Sequence, residues 1–170
     1  LELAREIVRR FKSLYSASPF PEPKELLTKS SKLLGIDGRK MSKSYDNTIA
    51  LSDSPETIRK KTQKMFTDPK RIKMTDPGHP ETCNVCHYWR EFSPERADAV
   101  WDECRTAKRG CVQNKKELAE VLIETLEPIR KKRTSLLKET GEISRILEEG
   151  RQKAKAIAIQ TMKEVRRLVG

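Results

Sequence analysis

From position 115 to 169 apolar residues recur at helical spacing, punctuated by Pro128, Gly141 and Gly150. This long, charged, periodic stretch admits little except helices packed on helices. It predicts one helix over 115–138 and another over 142–169. Pro128 lacks a backbone donor and is expected to bend or divide the first, and Gly141 supplies a sharp reversal, so the two should pair antiparallel. Leu118, Val121, Leu122, Leu126 and Ile129 form one apolar stripe. Its expected partner is Ile143, Ile146, Leu147, Ala154, Ile157, Ala158, Met162, Val165 and Leu168. A third helix is predicted over 94–108.

Upstream the pattern is mixed. Asp53 or Ser54, followed by Pro55 and Glu56, is a helix start, because a short polar cap, a first-turn proline and an early acid complement free amides. That helix should run to Phe66, with a basic face of Arg59, Lys60, Lys61 and Lys64. The proline-containing stretch from Thr67 to Pro80 reads as a crossing loop. Leu1, Ile7, Val8, Phe11 and Leu14 give one helical face, broken over Ser16–Pro23. Leu33-Leu34 and Ile49-Ala50-Leu51 are short and strand-like. The expected fold is therefore mostly α: residues 1–54 end an α/β unit and residues 55–170 form an all-helical domain.

Between those strand-like segments lies Lys40-Met41-Ser42-Lys43-Ser44, entered through Gly35-Ile36-Asp37-Gly38-Arg39. Two ammonium groups and two hydroxyls on one short stretch suit a polyphosphate. A departing pyrophosphate accumulates charge on its oxygens, and lysines aimed there stabilise the transition state more than the ground state. Gly35 and Gly38 read as hinges on which the loop closes over a nucleotide. The plainer reading of the same composition is a flexible basic surface loop.

The string Lys40–Ser44 resembles, at every position, the signature loop of class I aminoacyl-tRNA synthetases. The flanking Phe20-Pro21-Glu22-Pro23, Asn47-Thr48-Ile49, Leu51-Ser52-Asp53, Lys60-Lys61 and Thr67-Asp68-Pro69 are similar to the tryptophanyl branch. So is the opening run Leu1–Ile7, which resembles the helix after the active-site strand. The resemblance implies that residues 1–54 belong to a Rossmann-like catalytic domain and residues 55–170 to a helical anticodon-binding domain. It also implies ATP-dependent activation of L-tryptophan and transfer to tRNA(Trp), with Mg2+ accompanying the triphosphate. Lys40 and Lys43 take the catalytic role, and Ser31, Met41, Ser42 and Ser44 join them in contacting the nucleotide. Members of the family carry an earlier His-Ile-Gly-His motif, and neither His79 nor His87 sits in one. The chain also opens inside a helix without a cap or initiator Met. It is therefore expected to be the C-terminal half of a longer enzyme, inactive alone.

With 36 Lys plus Arg against 25 Asp plus Glu, the net charge is +11, which fits a polyanionic partner. Arg130-Lys131-Lys132-Arg133, Arg151, Lys153, Lys155, Lys163, Arg166 and Arg167 are candidate tRNA-facing side chains. No apolar run nears the roughly 18 residues of a membrane span, and no secretory signal is present. A cytoplasmic homodimer is expected, the dimer by family likeness.

Cys83, Cys86, Cys104 and Cys111 are the second informative set. Cys83 and Cys86 form a Cys-x-x-Cys pair, in which two thiolates can converge on one metal, while Cys104 and Cys111 flank a turn at Lys108-Arg109-Gly110. Four buried, idle thiols are the competing reading. By resemblance to bacterial members of the tryptophanyl branch, Cys83, Cys104 and Cys111 look like three ligands of a [4Fe-4S] cluster. Those relatives end in a second Cys-x-x-Cys, where this chain has Cys111-Val112-Gln113-Asn114, so the fourth thiolate must come from Cys86. Zn2+ suits four thiolates equally by stoichiometry. His87 reads as a bystander and Trp101 as core. The runner-up functions are a tyrosine-specific synthetase and a noncatalytic RNA-binding helical module.

Overall fold

Ser54 accepts a hydrogen bond from the Thr57 amide and Pro55 follows at the first helical position, and from this cap α2 runs Pro55–Gln63. In the computed structural model, which describes residues 1–28 and 33–170, the other helices are α1 (Glu2–Tyr15), α3 (Asn84–Phe92), α4 (Pro94–Arg105), α5 (Cys111–Lys138) and α6 (Thr140–Val169). Two 3-10 turns occur at Lys43–Tyr45 and Pro80–Thr82.

The mostly helical expectation holds. No strand is present among the described residues: of the strand-like segments, only Leu34 makes an isolated antiparallel bridge, with Lys40. Pro128 lies inside an uninterrupted α5 and does not divide it. The sequence pattern missed α3 because its nine residues are too few for a sustained helical repeat, although Val85, Cys86, Tyr88 and Trp89 are all buried and Arg90 and Glu91 are exposed.

The chain forms two compact units, one from Leu1–Thr28 with Leu136–Gly170, the other Lys29–Ser135. In the larger unit Ile58 and Met65, with Val85, Tyr88 and Trp89 of α3 and Val100 and Trp101 of α4, share one core with Leu118, Leu122 and Leu126 of α5. Trp89 is fully buried, and its Nε1 donates to Asn114 Oδ1 at 2.7 Å, so the indole contributes both apolar area and a satisfied donor. In the smaller unit α1 ends at Ser16 in a left-handed conformation. The chain then turns back so that Phe20 packs edge-on to Phe11, with centroids 5.1 Å apart, and Arg5 donates to the Pro23 carbonyl at 2.8 Å.

Most of the apolar residues of α6 expected to pair with α5 are exposed, Leu147 at 68% and Ile157 at 71% accessible, while Val165 and Leu168 near its end are half-buried.

Candidate functional site

The loop carrying the two lysines is built around one buried amide. Asn47 Oδ1 accepts from the Ser42 backbone at 2.8 Å, and its Nδ2 donates to Asp37 Oδ1 at 2.8 Å and to the Lys40 carbonyl at 3.1 Å. The Asn47 carbonyl accepts from the Ile36 amide at 2.8 Å, so one residue ties both arms of the loop together. Asp37 also accepts from the Arg39 backbone at 3.0 Å and from Arg39 Nε at 2.7 Å. The hydrogen bond from Asn47 is the largest influence on the Asp37 carboxyl, and with the two from Arg39 it brings the group down to about 2.

Gly35 serves close approach here. A Cβ on it would stand 2.3 Å from Asn47 Nδ2 and 2.7 Å from the Asn47 carbonyl, so the backbone fits against Asn47 only because there is no side chain. Gly38 does need its freedom: at φ +78 it turns the chain within the Gly35–Arg39 segment, where Gly38 donates to the Gly35 carbonyl and Gly35 to the Arg39 carbonyl.

On this frame Lys40, Lys43 and Ser44 are exposed, while Ser42 and Met41 are half-buried. Met41 rests against the core and anchors the segment. Ser42 and Ser44 hydroxyls lie 2.8 Å apart and share a hydrogen bond. Arg39 stacks over the Tyr45 ring at 4.9 Å. The arrangement is a fixed frame presenting two free ammonium groups to solvent. Ser31 lies outside the described residues. Asp37 and Asn47 went unmarked as framework residues in the sequence reading; the Asp-Gly pair at 37–38, a turn signature, was the available signal.

The expectation of a metal held by Cys83, Cys86, Cys104 and Cys111 finds no support. Among the described residues no group of three or more His, Cys, Asp or Glu side chains is arranged to hold an ion. Cys86 instead hydrogen-bonds to both Cys104 and Cys83, and those bonds together with burial raise its thiol. The same bonds lower Cys83 and Cys104. Other protein groups also crowd the sulfurs: Arg71 Nη1 is 3.9 Å from Cys104 Sγ and Asn114 Nδ2 is 3.9 Å from Cys86 Sγ. A Cβ at Gly78 would come within 2.5 Å of Cys104 Sγ. Cys111, at the start of α5, borders an open groove with Arg71, Lys73 and Lys108, and burial raises its thiol. His87 is a bystander, its Nε2 2.9 Å from the Glu81 carbonyl, and Trp101 is core, as the sequence suggests.

Most of the basic face of α2 is neutralised. Arg59 forms a two-pronged pair with Glu120, while Lys60 meets Glu56 and Lys61 meets Asp53 at 2.7 Å. Arg130 and Lys131 pair with Glu127, and Arg151 with Glu148. Lys132, Arg133, Lys153, Lys155, Lys163, Arg166 and Arg167 are exposed.

The family model described as tRNA synthetases class I (W and Y) matches residues 1–127. The chain belongs to that family. Curated relatives of the family agree. Over 169 residues, 98% of this chain, it is 47% identical to a tryptophan–tRNA ligase of Aquifex aeolicus and 43% identical to one of Thermotoga maritima. These matches cover 42% and 51% of the relatives, so the chain spans about half the length of the curated relatives it matches. Among solved structures, a Campylobacter jejuni tryptophanyl-tRNA synthetase complexed with ADP and tryptophan superposes with a TM-score of 0.80 at 27% identity. That match covers 99% of this chain and 53% of the other. No helix among the described residues is long and apolar enough to cross a membrane.

Proposed function

We propose that this chain serves a cytoplasmic tryptophan–tRNA ligase: ATP-dependent activation of L-tryptophan and transfer to tRNA(Trp). The observation that carries the reading is the pair of exposed lysines, Lys40 and Lys43, held on the Asn47–Asp37 frame in a chain whose relatives bear that name. In activation the tryptophan carboxylate attacks the α-phosphate of ATP and pyrophosphate leaves. Lys40 and Lys43 would neutralise the charge growing on the leaving oxygens, with Ser42 and Ser44 adding hydrogen bonds, and Mg2+ enters with the triphosphate. Ser31 and Met41 belong to the same proposed contact.

Residues 1–54 act in this reading as the end of the Rossmann-like catalytic domain and residues 55–170 as the anticodon-binding domain of a homodimer. Within the larger unit, Ile36 and Met41 of the first segment pack against the core formed by α2 to α5 of the second. The exposed lysines and arginines of α6 suit the tRNA backbone.

The test is pyrophosphate exchange by the full-length gene product. Lys43→Ala should lower kcat by at least ~10²-fold, a cost of about 2.7 kcal/mol. Exchange that depends on tyrosine instead of tryptophan would assign the other branch, and unchanged kinetics would remove Lys43 from the reaction.

A further inference from the structure

Two side chains of α3, one turn apart on the same face, reach across to the base of the lysine loop. Asn84 Nδ2 donates to the Gly35 carbonyl at 2.7 Å and the Tyr88 hydroxyl donates to the Leu34 carbonyl at 2.6 Å. Both side chains are buried, at 2% and 1% accessible. The carbonyls they hold belong to the arm that pairs with the approach to the signature: Leu34 bridges Lys40, and the Gly35 amide donates to the Arg39 carbonyl at 2.8 Å.

We infer that Asn84 and Tyr88 are positioning residues that fix the base of the 34–47 loop to α3, so that only its tip, Lys43–Tyr45, is free to follow a triphosphate. Stability alone does not account for Asn84. Its Oδ1 is buried without a hydrogen-bond partner among the described residues, a costly state for a side chain that an apolar residue of similar size would avoid. The donor on the same amide explains its presence, because no side chain can be placed on Gly35 itself to do the work: Asn47 fills that space. Tyr88 keeps its ring stacked on Phe92, with centroids 5.6 Å apart, and its hydroxyl is left for the loop. Asn84 also lies inside the Cys83–Cys86 pair, so the packing of the cysteine region and the pose of Lys40 are set by one helix. The consequence for catalysis rests on the proposed ATP-dependent reaction; the mechanical claim does not.

Tyr88→Phe removes one hydroxyl and keeps the ring, and Asn84→Ala removes the other tether. Amide hydrogen exchange of either variant should run about fivefold or more faster over 34–47, the loss of one hydrogen bond, while far-UV circular dichroism stays the same. Leu126→Ala, a core truncation on α5, serves as the comparison for general loosening and should leave the ratio of loop to core exchange where it was. In the full-length gene product, Tyr88→Phe should raise KM for ATP in pyrophosphate exchange severalfold and leave KM for tryptophan in place. Loop exchange equal to the parent's in both variants, or a loop-to-core exchange ratio raised as much by Leu126→Ala as by the tether variants, overturns the inference. Because hydrogen exchange needs no amino acid or activity, it decides the tether even if the full-length protein proves not to activate tryptophan.

Discussion

The first half of α5 and the whole of α6 carry the same kind of apolar repeat and meet opposite fates. Asn114, Leu118, Ala119, Leu122 and Leu126 are buried in the core of the larger unit. Along α6 most of the corresponding residues, Ile143 to Met162, are exposed, and the helix is laced by its own ion pairs: Arg145 with Glu142 and Glu149, Arg151 with Glu148. A helical period therefore tells which residues share a face and says nothing about whether that face is covered. Tertiary burial supplies most helix stability in folded proteins, whereas pairs at i,i+4 supply tenths of a kcal/mol each.

The largest expected contrast is between truncations in the two regions. Trp89→Ala removes a fully buried indole and strands Asn114, and should cost about 3–5 kcal/mol in urea unfolding. Ile157→Ala on α6 should fall within about 0.5 kcal/mol. Comparable costs would mean that α6 is covered in solution and would break the comparison.

Acid sharpens it next. Asp37 titrates at about 2 in the folded chain, well below an ordinary carboxyl near 4, so the native state binds fewer protons than the unfolded chain between those values. Its contribution is fully present above about pH 5 and is lost as pH falls through 2. Amides of the 36–42 stretch should lose exchange protection over that window before those of 118–126, and Asp37→Asn should abolish the pH dependence. Simultaneous loss in both regions would show that the frame around Asn47 has no separate stability.

The smallest effect belongs to the surface of α6. Arg145→Ala, which breaks pairs to Glu142 and Glu149, should lower stability slightly at low salt and not measurably in 1 M salt. A salt-independent loss would point to packing by the arginine stem in place of charge.

The starts of α2 at Ser54 and Pro55 and the extent of α4, α5 and α6 to within a few residues were legible from the amino acids, as was the signature Lys40–Ser44. All of these depend on neighbours close along the chain: caps, periodicity and a contiguous motif. The hidden features were long-range. α3 escaped notice because nine residues are too few for a sustained repeat, and the grip of Asn84 and Tyr88 on Gly35 and Leu34 joins residues 49 and 54 positions apart. The four cysteines were legible as a group, yet only packing revealed that Cys86 hydrogen-bonds to Cys83 and Cys104 with no ion-holding set among the described residues.

Sequence by itself determined that this protein is helical, basic and equipped with a synthetase signature, because those properties are local or additive. Tertiary structure alone decided that the lysines stand exposed on a buried asparagine frame, that α3 holds the loop at its base, and that α5 is covered where α6 is open. Such outcomes turn on which distant groups exclude water from one another, and spacing along a chain carries no record of that.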